Sequence, residues 1–185
     1  MAMGFNISDS IKLIKNFKTT GTITPSSKVL IGHMVAVDFT KARCIVELGP
    51  GNGCITNELL GRMQADSKLI CLEIDEEFAT RLGRINDSRL QVHRACATTL
   101  RTILEAQHIA CADYVVSSLP LAMIDDDKVD NILHTVRDCL CPQGRYLQYQ
   151  YSLTQYGDLK AVFGKVRLQF TMRNMPPAFV YRCSR

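Results

Sequence analysis

Along the chain the spacing of apolar residues changes at about residue 40. Before that point Ile7, Ile11, Ile14 and Phe17 recur three or four apart, with Lys12, Lys15 and Lys18 on the other side. This spacing predicts an amphipathic helix that Ser8 can cap. Gly21 and Pro25 interrupt it, and PSSKVLIGHMVAVDF predicts a second helix with Ser26 or Ser27 as its cap. Beyond residue 40 come short runs rich in Val, Ile, Leu and Tyr: RCIVEL, SKLICLEI, RLQVHR, DYVVSS and RYLQYQYS. Helix-like segments separate them at 53–63, 75–86, 98–107 and 126–140. After residue 151 follow a helix, QYGDLKAVFG, and two further strand-like runs, KVRLQFTMR and AFVYRCS.

Strands that alternate with helices predict βαβ units, hence an α/β fold with a parallel sheet covered on both faces. The two late runs suit an antiparallel edge, which gives a mostly parallel sheet of seven strands. No linker divides the chain, so residues 1–185 are expected to form one domain, with 1–40 as a helical extension and 41–185 as the α/β core.

Composition changes this picture little, but charge does. The net charge of +4 is unevenly spread. Residues 1–45 hold six basic and two acidic groups, 46–141 nine and fifteen, and 142–185 seven and one. Basic ends around an acidic middle favour an anionic partner, nucleic acid or a phospholipid surface. The N-terminal residues lack the layout of a signal peptide, and the longest apolar stretch, His108 to Ile124, is broken by Asp113 and a serine-proline turn. A cytoplasmic protein, peripheral on the inner face of a membrane at most, is the expectation. The eight cysteines form no C-x-x-C, and no histidine completes a zinc pattern, so buried free thiols and no metal are expected.

The chemistry begins in CIVELGPGNGCITNELL. A β-branched run reaches Glu47, and Gly49, Pro50, Gly51, Asn52 and Gly53 turn it into an amphipathic helix. Glycines at alternate positions let a ligand approach the backbone closely. A dinucleotide fingerprint would want glycine where Cys54 stands, so that reading fails. The pattern E-x-G-x-G-x-G resembles motif I of class I S-adenosylmethionine-dependent methyltransferases, which have a Rossmann-like fold. The resemblance implies that the turn meets the methionine part of S-adenosyl-L-methionine and that Glu47 faces a cation-bearing cofactor. Glu73, twenty residues beyond Gly53 at the end of the second strand, can accept both ribose hydroxyls, with Ile74 beside it. In the third βα turn, Ala95-Cys96-Ala97 stands where the family commonly has Gly-Asp-Ala. Cys96 is a poor acceptor for the adenine amine, which leaves the task to backbone groups around Ala97 or weakens the cofactor site.

In this fold the fourth strand ends beside the acceptor, and here that end reads Asp113-Tyr-Val-Val-Ser117-Ser118-Leu119-Pro120-Leu121. Ribosomal RNA adenine dimethylases carry N-L-P-Y or N-L-P-F at this place, where carbonyls hold the amine and the aromatic stacks on the base. This chain has Ser118 for the Asn and Leu121 for the aromatic, so a flipped adenine loses its amide partner and its stacking face. S-x-L-P-L, PSSKVL, LCPQGRYLQYQYS and PPAFVYR instead resemble bacterial phospholipid N-methyltransferases, over most of the chain from about residue 7. That resemblance implies methylation of the amine of a phosphatidylethanolamine-type lipid. Ser117, Ser118 and the Leu119 carbonyl, with Pro120 shaping the turn, would orient the deprotonated nitrogen. Tyr149 and Tyr151, two apart on the fifth strand and so on one face, offer π-faces to a methylated ammonium. Lys12, Lys15 and Lys18 make an interfacial helix that could meet anionic lipid. Two alternatives stand beside this reading: an adenine N6-methyltransferase acting on RNA, and a cofactor-binding module without turnover.

Overall fold

In the computed structural model the described residues are 25–172 and 177–185. The lysine helix expected around Lys12, Lys15 and Lys18 lies outside them. The first described helix, α1 (Pro25–Met34), begins on a proline, whose fixed φ and missing N–H suit the first helical position. Ser26 and Ser27 therefore fall inside the first turn and not at the cap. The helix also ends five residues earlier than the apolar pattern suggests, because Val35 and Phe39 leave it to enter the core. The Arg62 guanidinium donates to the Val35 carbonyl there (3.2 Å).

The remaining elements follow the alternation read from the sequence. They are β1 (Cys44–Leu48), α2 (Cys54–Arg62), β2 (Lys68–Glu73), α3 (Glu76–Leu82), β3 (Leu90–Arg94), α4 (Leu100–Ala106), β4 (Ala112–Ser117), α5 (Asp126–Cys139), β5 (Leu140–Gln150), α6 (Tyr156–Val162), β6 (Lys165–Thr171) and β7 (Ala178–Ser184). One seven-stranded sheet has the order β3-β2-β1-β4-β5-β7-β6. The first five strands run parallel and β7 is antiparallel to both its neighbours. All five residues of β1 are buried, as a parallel strand covered on both faces requires. On one face Leu100, Leu104, Ile132, Leu133, Val136 and Leu159 of α4, α5 and α6 pack on the sheet. On the other, Leu30, Met34, Ile55 and Leu59 of α1 and α2 do so.

The expectation that every cysteine is a free thiol fails at one pair. Cys111 and Cys141 form a disulfide that joins the residue before β4 to the start of β5. Their spacing gave no hint, since thirty residues and a helix separate them and only the β4–β5 pairing brings them together. Just beyond the disulfide the β4–β5 register shifts between Ala112 and Tyr114. Gly144 permits the close approach, because a Cβ there would stand 2.8 Å from the Ala112 carbonyl oxygen. Strand β5 consequently starts five residues before RYLQYQYS. Cys44, Cys54, Cys71, Cys96, Cys139 and Cys183 are free.

Strand order reverses between β1 and β4, so the loops leaving their carboxyl ends diverge and open a crevice. The two ends are tied together by the Ser118 N–H, which donates to the Leu48 carbonyl (2.9 Å). Both sequence motifs therefore meet at one edge of the molecule.

Candidate active site

The glycine turn after β1 is built from left-handed backbone. Gly49, Gly51 and Gly53 have φ of 67°, 54° and 77°, a region that side chains with a Cβ rarely enter. Their surroundings differ. A Cβ at Gly49 would stand 2.9 Å from Leu119 Cδ2, and one at Gly53 2.8 Å from Leu82 Cδ2, whereas at Gly51 it would meet nothing within 4 Å. Gly49 and Gly53 are thus packed against the protein, and Gly51 faces open space over the crevice. Pro50 is buried and its carbonyl accepts from Gly53 N–H (3.0 Å). The Asn52 side-chain oxygen accepts from Arg81 (3.2 Å).

Below the turn Glu47 is fully buried. Its Oε2 accepts from Thr56 Oγ1 (2.7 Å) and Cys71 Sγ (3.5 Å), while Oε1 has no partner. Burial pushes its carboxyl up to about 7, against the two hydrogen bonds, and the charge of Glu73 adds to the rise. An orphaned buried carboxylate oxygen is costly unless a donor or cation completes it. Such an oxygen fits a cofactor that carries an ammonium and a sulfonium.

Glu73 closes the other side. Its two oxygens accept from the N–H of Gly51 (3.0 Å) and of Asp75 (3.0 Å), which fixes the carboxylate at the rim of the glycine turn. Ile74 next to it is 68% exposed, an apolar surface beside the glycine turn. The Asp75 side chain caps α3 through Phe78 N–H (3.0 Å). Cys96 precedes a short 3-10 turn (Ala97–Thr99), and Ala97 is buried. Burial pushes the Cys96 thiol up, but hydrogen bonds from Thr98 and Ala97 and the Lys128 charge outweigh it, so the thiol lies below its ordinary value. This draws it toward the thiolate, the form that accepts hydrogen bonds well.

At the acceptor end the four motif residues divide. Ser117 is fully buried, and its Oγ accepts from Leu119 N–H (3.3 Å), so it shapes the turn from within. The Leu119 carbonyl, expected to hold the amine, is already engaged. It accepts from the side-chain amides of Gln148 (3.0 Å) and Gln150 (3.0 Å) and from the Leu121 N–H (2.9 Å), which leaves it no free lone pair. Gln148 in turn accepts from Tyr146 Oη (2.6 Å) through its own oxygen. The expectation for Leu119 is corrected accordingly: its oxygen anchors the loop to β5 and does not point free into the crevice. Pro120 accepts from Met123 N–H (2.8 Å) and starts the 3-10 turn of Leu121–Met123, with Leu121 fully buried. Gln148 and Gln150 went unnoticed in the sequence because polar residues alternating with tyrosines look like the solvent face of a strand.

Ser118 remains at the lip. Its hydroxyl donates to the phenol of Tyr149; this pulls against the burial that raises the Tyr149 pKa, and the nearby Cys54 adds to the rise. Tyr149 and Tyr151 do share a face, with ring centroids 5.7 Å apart and planes at 76°. Both pack at the border of the α1–α2 core cluster. The crevice therefore holds a buried acid, an open glycine turn, a carboxylate at its rim and a hydroxyl pair beside two aromatic rings.

Comparison with known proteins bears on the family and the fold. No protein-family model matches the chain. It is 31% identical over 176 residues to the ornithine lipid N-methyltransferase of Singulisphaera acidiphila, covering 93% of this chain and 92% of that protein. Over 67 residues, 36% of this chain and 24% of the relative, it is 33% identical to the ribosomal RNA small subunit methyltransferase A of a Burkholderia species. Among solved structures it is similar to the N-methyltransferase NodS of Bradyrhizobium japonicum in complex with S-adenosyl-L-homocysteine, with a TM-score of 0.74 at 11% identity over 93% of this chain and 96% of that one. A complex of DhpI with S-adenosylhomocysteine superposes with a TM-score of 0.68 at 13% identity, over 94% and 91% of the two chains. At such identities the structural likeness speaks for the fold.

Proposed function

From a chain that belongs to the class I S-adenosylmethionine-dependent methyltransferases, in the family of the Singulisphaera lipid N-methyltransferase, we propose that the acceptor is the primary amine of an aminolipid headgroup, of the phosphatidylethanolamine or ornithine-lipid type. S-adenosyl-L-methionine supplies an electrophilic methyl when bound. Glu47, Gly51, Glu73 and Ile74 are the residues proposed to hold it. Family membership sets aside the module without turnover.

The observation that carries the acceptor reading is the occupied Leu119 carbonyl. With the carbonyl taken by Gln148, Gln150 and the Leu121 N–H, and with Leu121 buried at the motif position where an aromatic would stack, the loop offers a flipped base neither a free carbonyl nor a ring at that position. What it offers is a hydroxyl pair, Ser118 and Tyr149, fit to accept N–H bonds from a small amine and so aim its lone pair. Only the neutral amine is nucleophilic. The half-buried site disfavours the ammonium and moves the equilibrium toward the reactive form. Removal of water around Tyr149 and the apolar residues beside it acts in the same direction.

The test is label transfer from radioactive cofactor to phosphatidylethanolamine, to ornithine lipid, and to unmodified ribosomal RNA in parallel. Label in either lipid supports the reading and the arm that takes it identifies the headgroup. Label in RNA alone would overturn it.

A further inference from the structure

Six large apolar side chains are exposed among the described residues: Ile74, Met123, Leu153, Leu168, Phe170 and Met172. Ile74 belongs to the cofactor rim. Four of the others gather at one place, the outer edge of the sheet. Leu168 and Phe170 alternate on one face of β6, and Met172 follows just past its end. Phe170 is 50% exposed although its ring lies 4.9 Å from Phe179, and Met172 is 78% exposed. Leu153 joins them because Tyr181, paired with Leu168, donates its hydroxyl to the carbonyl of neighbouring Ser152 (3.1 Å).

The direction of β6 puts this patch at the site. Both β5 and β6 run antiparallel to β7, so they run parallel to each other and end on the same side. In register, Gln150 faces Phe179 and Phe179 faces Phe170. Phe170 is thus two strands, roughly 10 Å, from the residue that anchors the acceptor lip. Farther back on the same strand stand the exposed Lys165 and Arg167, with Lys160 exposed on α6. The segment 142–185 that builds this edge holds seven basic residues and one acidic.

We propose that the β6 edge is a membrane-docking surface: Leu153, Leu168, Phe170 and Met172 enter the headgroup region of an anionic bilayer while Arg167, Lys165 and Lys160 meet its phosphates. The inference rests on the lipid-amine reading and adds the surface that delivers the headgroup to Ser118. Apolar side chains toward the end of β6, with Arg167 one residue and Lys165 three residues before Leu168 on the alternate face of the strand, match the layering of a bilayer interface. A second copy of this chain is the poorer occupant, since pairing two β6 edges would bring the same cations face to face.

Vesicle flotation tests it with the full chain and no acceptor in the membrane. Equimolar phosphatidylglycerol and phosphatidylcholine carry no amine that the enzyme methylates, so failure here is separable from failure of the acceptor reading. The protein is expected to float with these vesicles, and far less with phosphatidylcholine alone. The pair Phe170→Ser and Met172→Ser should lose roughly tenfold or more of vesicle affinity, given the apolar area removed. Arg167→Glu should weaken binding in a salt-dependent way. Both variants should keep their cofactor affinity. Should the double variant misfold, Met172→Ser alone, at so exposed a position, gives the same reading in smaller measure. Equal flotation of wild type and variants overturns the proposal. So does a wild-type dimer in light scattering that the Phe170→Ser, Met172→Ser pair converts to monomer, because the patch then belongs to a second copy.

Discussion

Gln150, at the end of β5, donates its side-chain amide to the Leu119 carbonyl at 3.0 Å, and so pins the acceptor loop to the neighbouring strand. Gln148 shares the same oxygen from two residues earlier. Two buried amides on one carbonyl are a device for holding a loop, because each would otherwise lose its hydrogen bonds to water without replacement.

The first prediction follows from that contact. Gln150→Leu removes one of the two anchors and leaves the cofactor rim untouched. A lost buried hydrogen bond costs about 1–3 kcal/mol, and here the loss falls on the geometry of Ser118. The expected result is a fall in kcat of roughly tenfold with unchanged affinity for S-adenosylhomocysteine. A variant that loses cofactor affinity and keeps kcat would show that Gln150 supports the wrong end of the crevice.

The glycine turn separates binding from stability. Gly51→Asp places a side chain in the only open cradle of the three glycines, and Asp tolerates left-handed backbone better than most residues. Cofactor affinity, measured by calorimetry, should drop by roughly a hundredfold or more, about 2.7 kcal/mol. Gly53→Ala, which meets Leu82 and a φ of 77°, should instead lower the melting temperature and spare affinity in the fraction that stays folded. If the two variants behave alike, Gly51 does not face the cofactor.

These contrasts mark what the sequence could reveal. The strand alternation, the E-x-G-x-G-x-G turn and the acidic end of β2 are local patterns, and each is found where its residues predict. The roles of Gln148, Gln150 and the Cys111–Cys141 pair depend on which strands become neighbours, which no local pattern encodes. Leu119 illustrates the limit most clearly. Its carbonyl belongs to a recognisable motif and takes a local bond from the Leu121 N–H, yet two side chains about thirty residues away occupy what that bond leaves.

Glu47 makes stability and binding depend on pH. Its carboxyl titrates at about 7 in the fold, raised by burial, against 4.5 for an ordinary Glu. Between these values the folded protein holds more protons than the unfolded chain, so the cofactor-free protein loses stability as pH rises from about 4.5 to about 7 and changes no further above that. Glu47→Gln should flatten this slope in thermal melts. A cationic ligand favours the ionised carboxylate, so affinity for S-adenosylmethionine should rise through the same window in the wild type and not in Glu47→Gln. Identical pH profiles for the two proteins would remove Glu47 from the site.

The disulfide acts elsewhere. Cys111 and Cys141 link the amino-terminal end of β4 to the start of β5, opposite the carboxyl ends that carry the site. Closing a loop of that sequence separation stabilises a fold by about 3–4 kcal/mol in the chain-entropy account. Reductant, or Cys141→Ser, should shift the urea midpoint down accordingly and leave cofactor affinity unchanged. Eight reactive thiols in the denatured, unreduced protein would show that the bond does not form.

Cys96 stands where related enzymes commonly carry Asp, and its thiol is drawn toward the thiolate despite burial, by Thr98, Ala97 and Lys128. If it faces the adenine amine, a carboxylate in its place should serve better, because it accepts hydrogen bonds with two full oxygens. Cys96→Asp is expected to tighten S-adenosylhomocysteine binding by several-fold, about 1 kcal/mol for an added charge-assisted hydrogen bond. Bound S-adenosylhomocysteine should also slow alkylation of the wild-type Cys96, read by mass spectrometry of the labelled peptide. Weaker binding by Cys96→Asp, with no protection of the thiol, would place the adenine away from the third βα turn. Backbone groups around Ala97 would lose their assigned role with it.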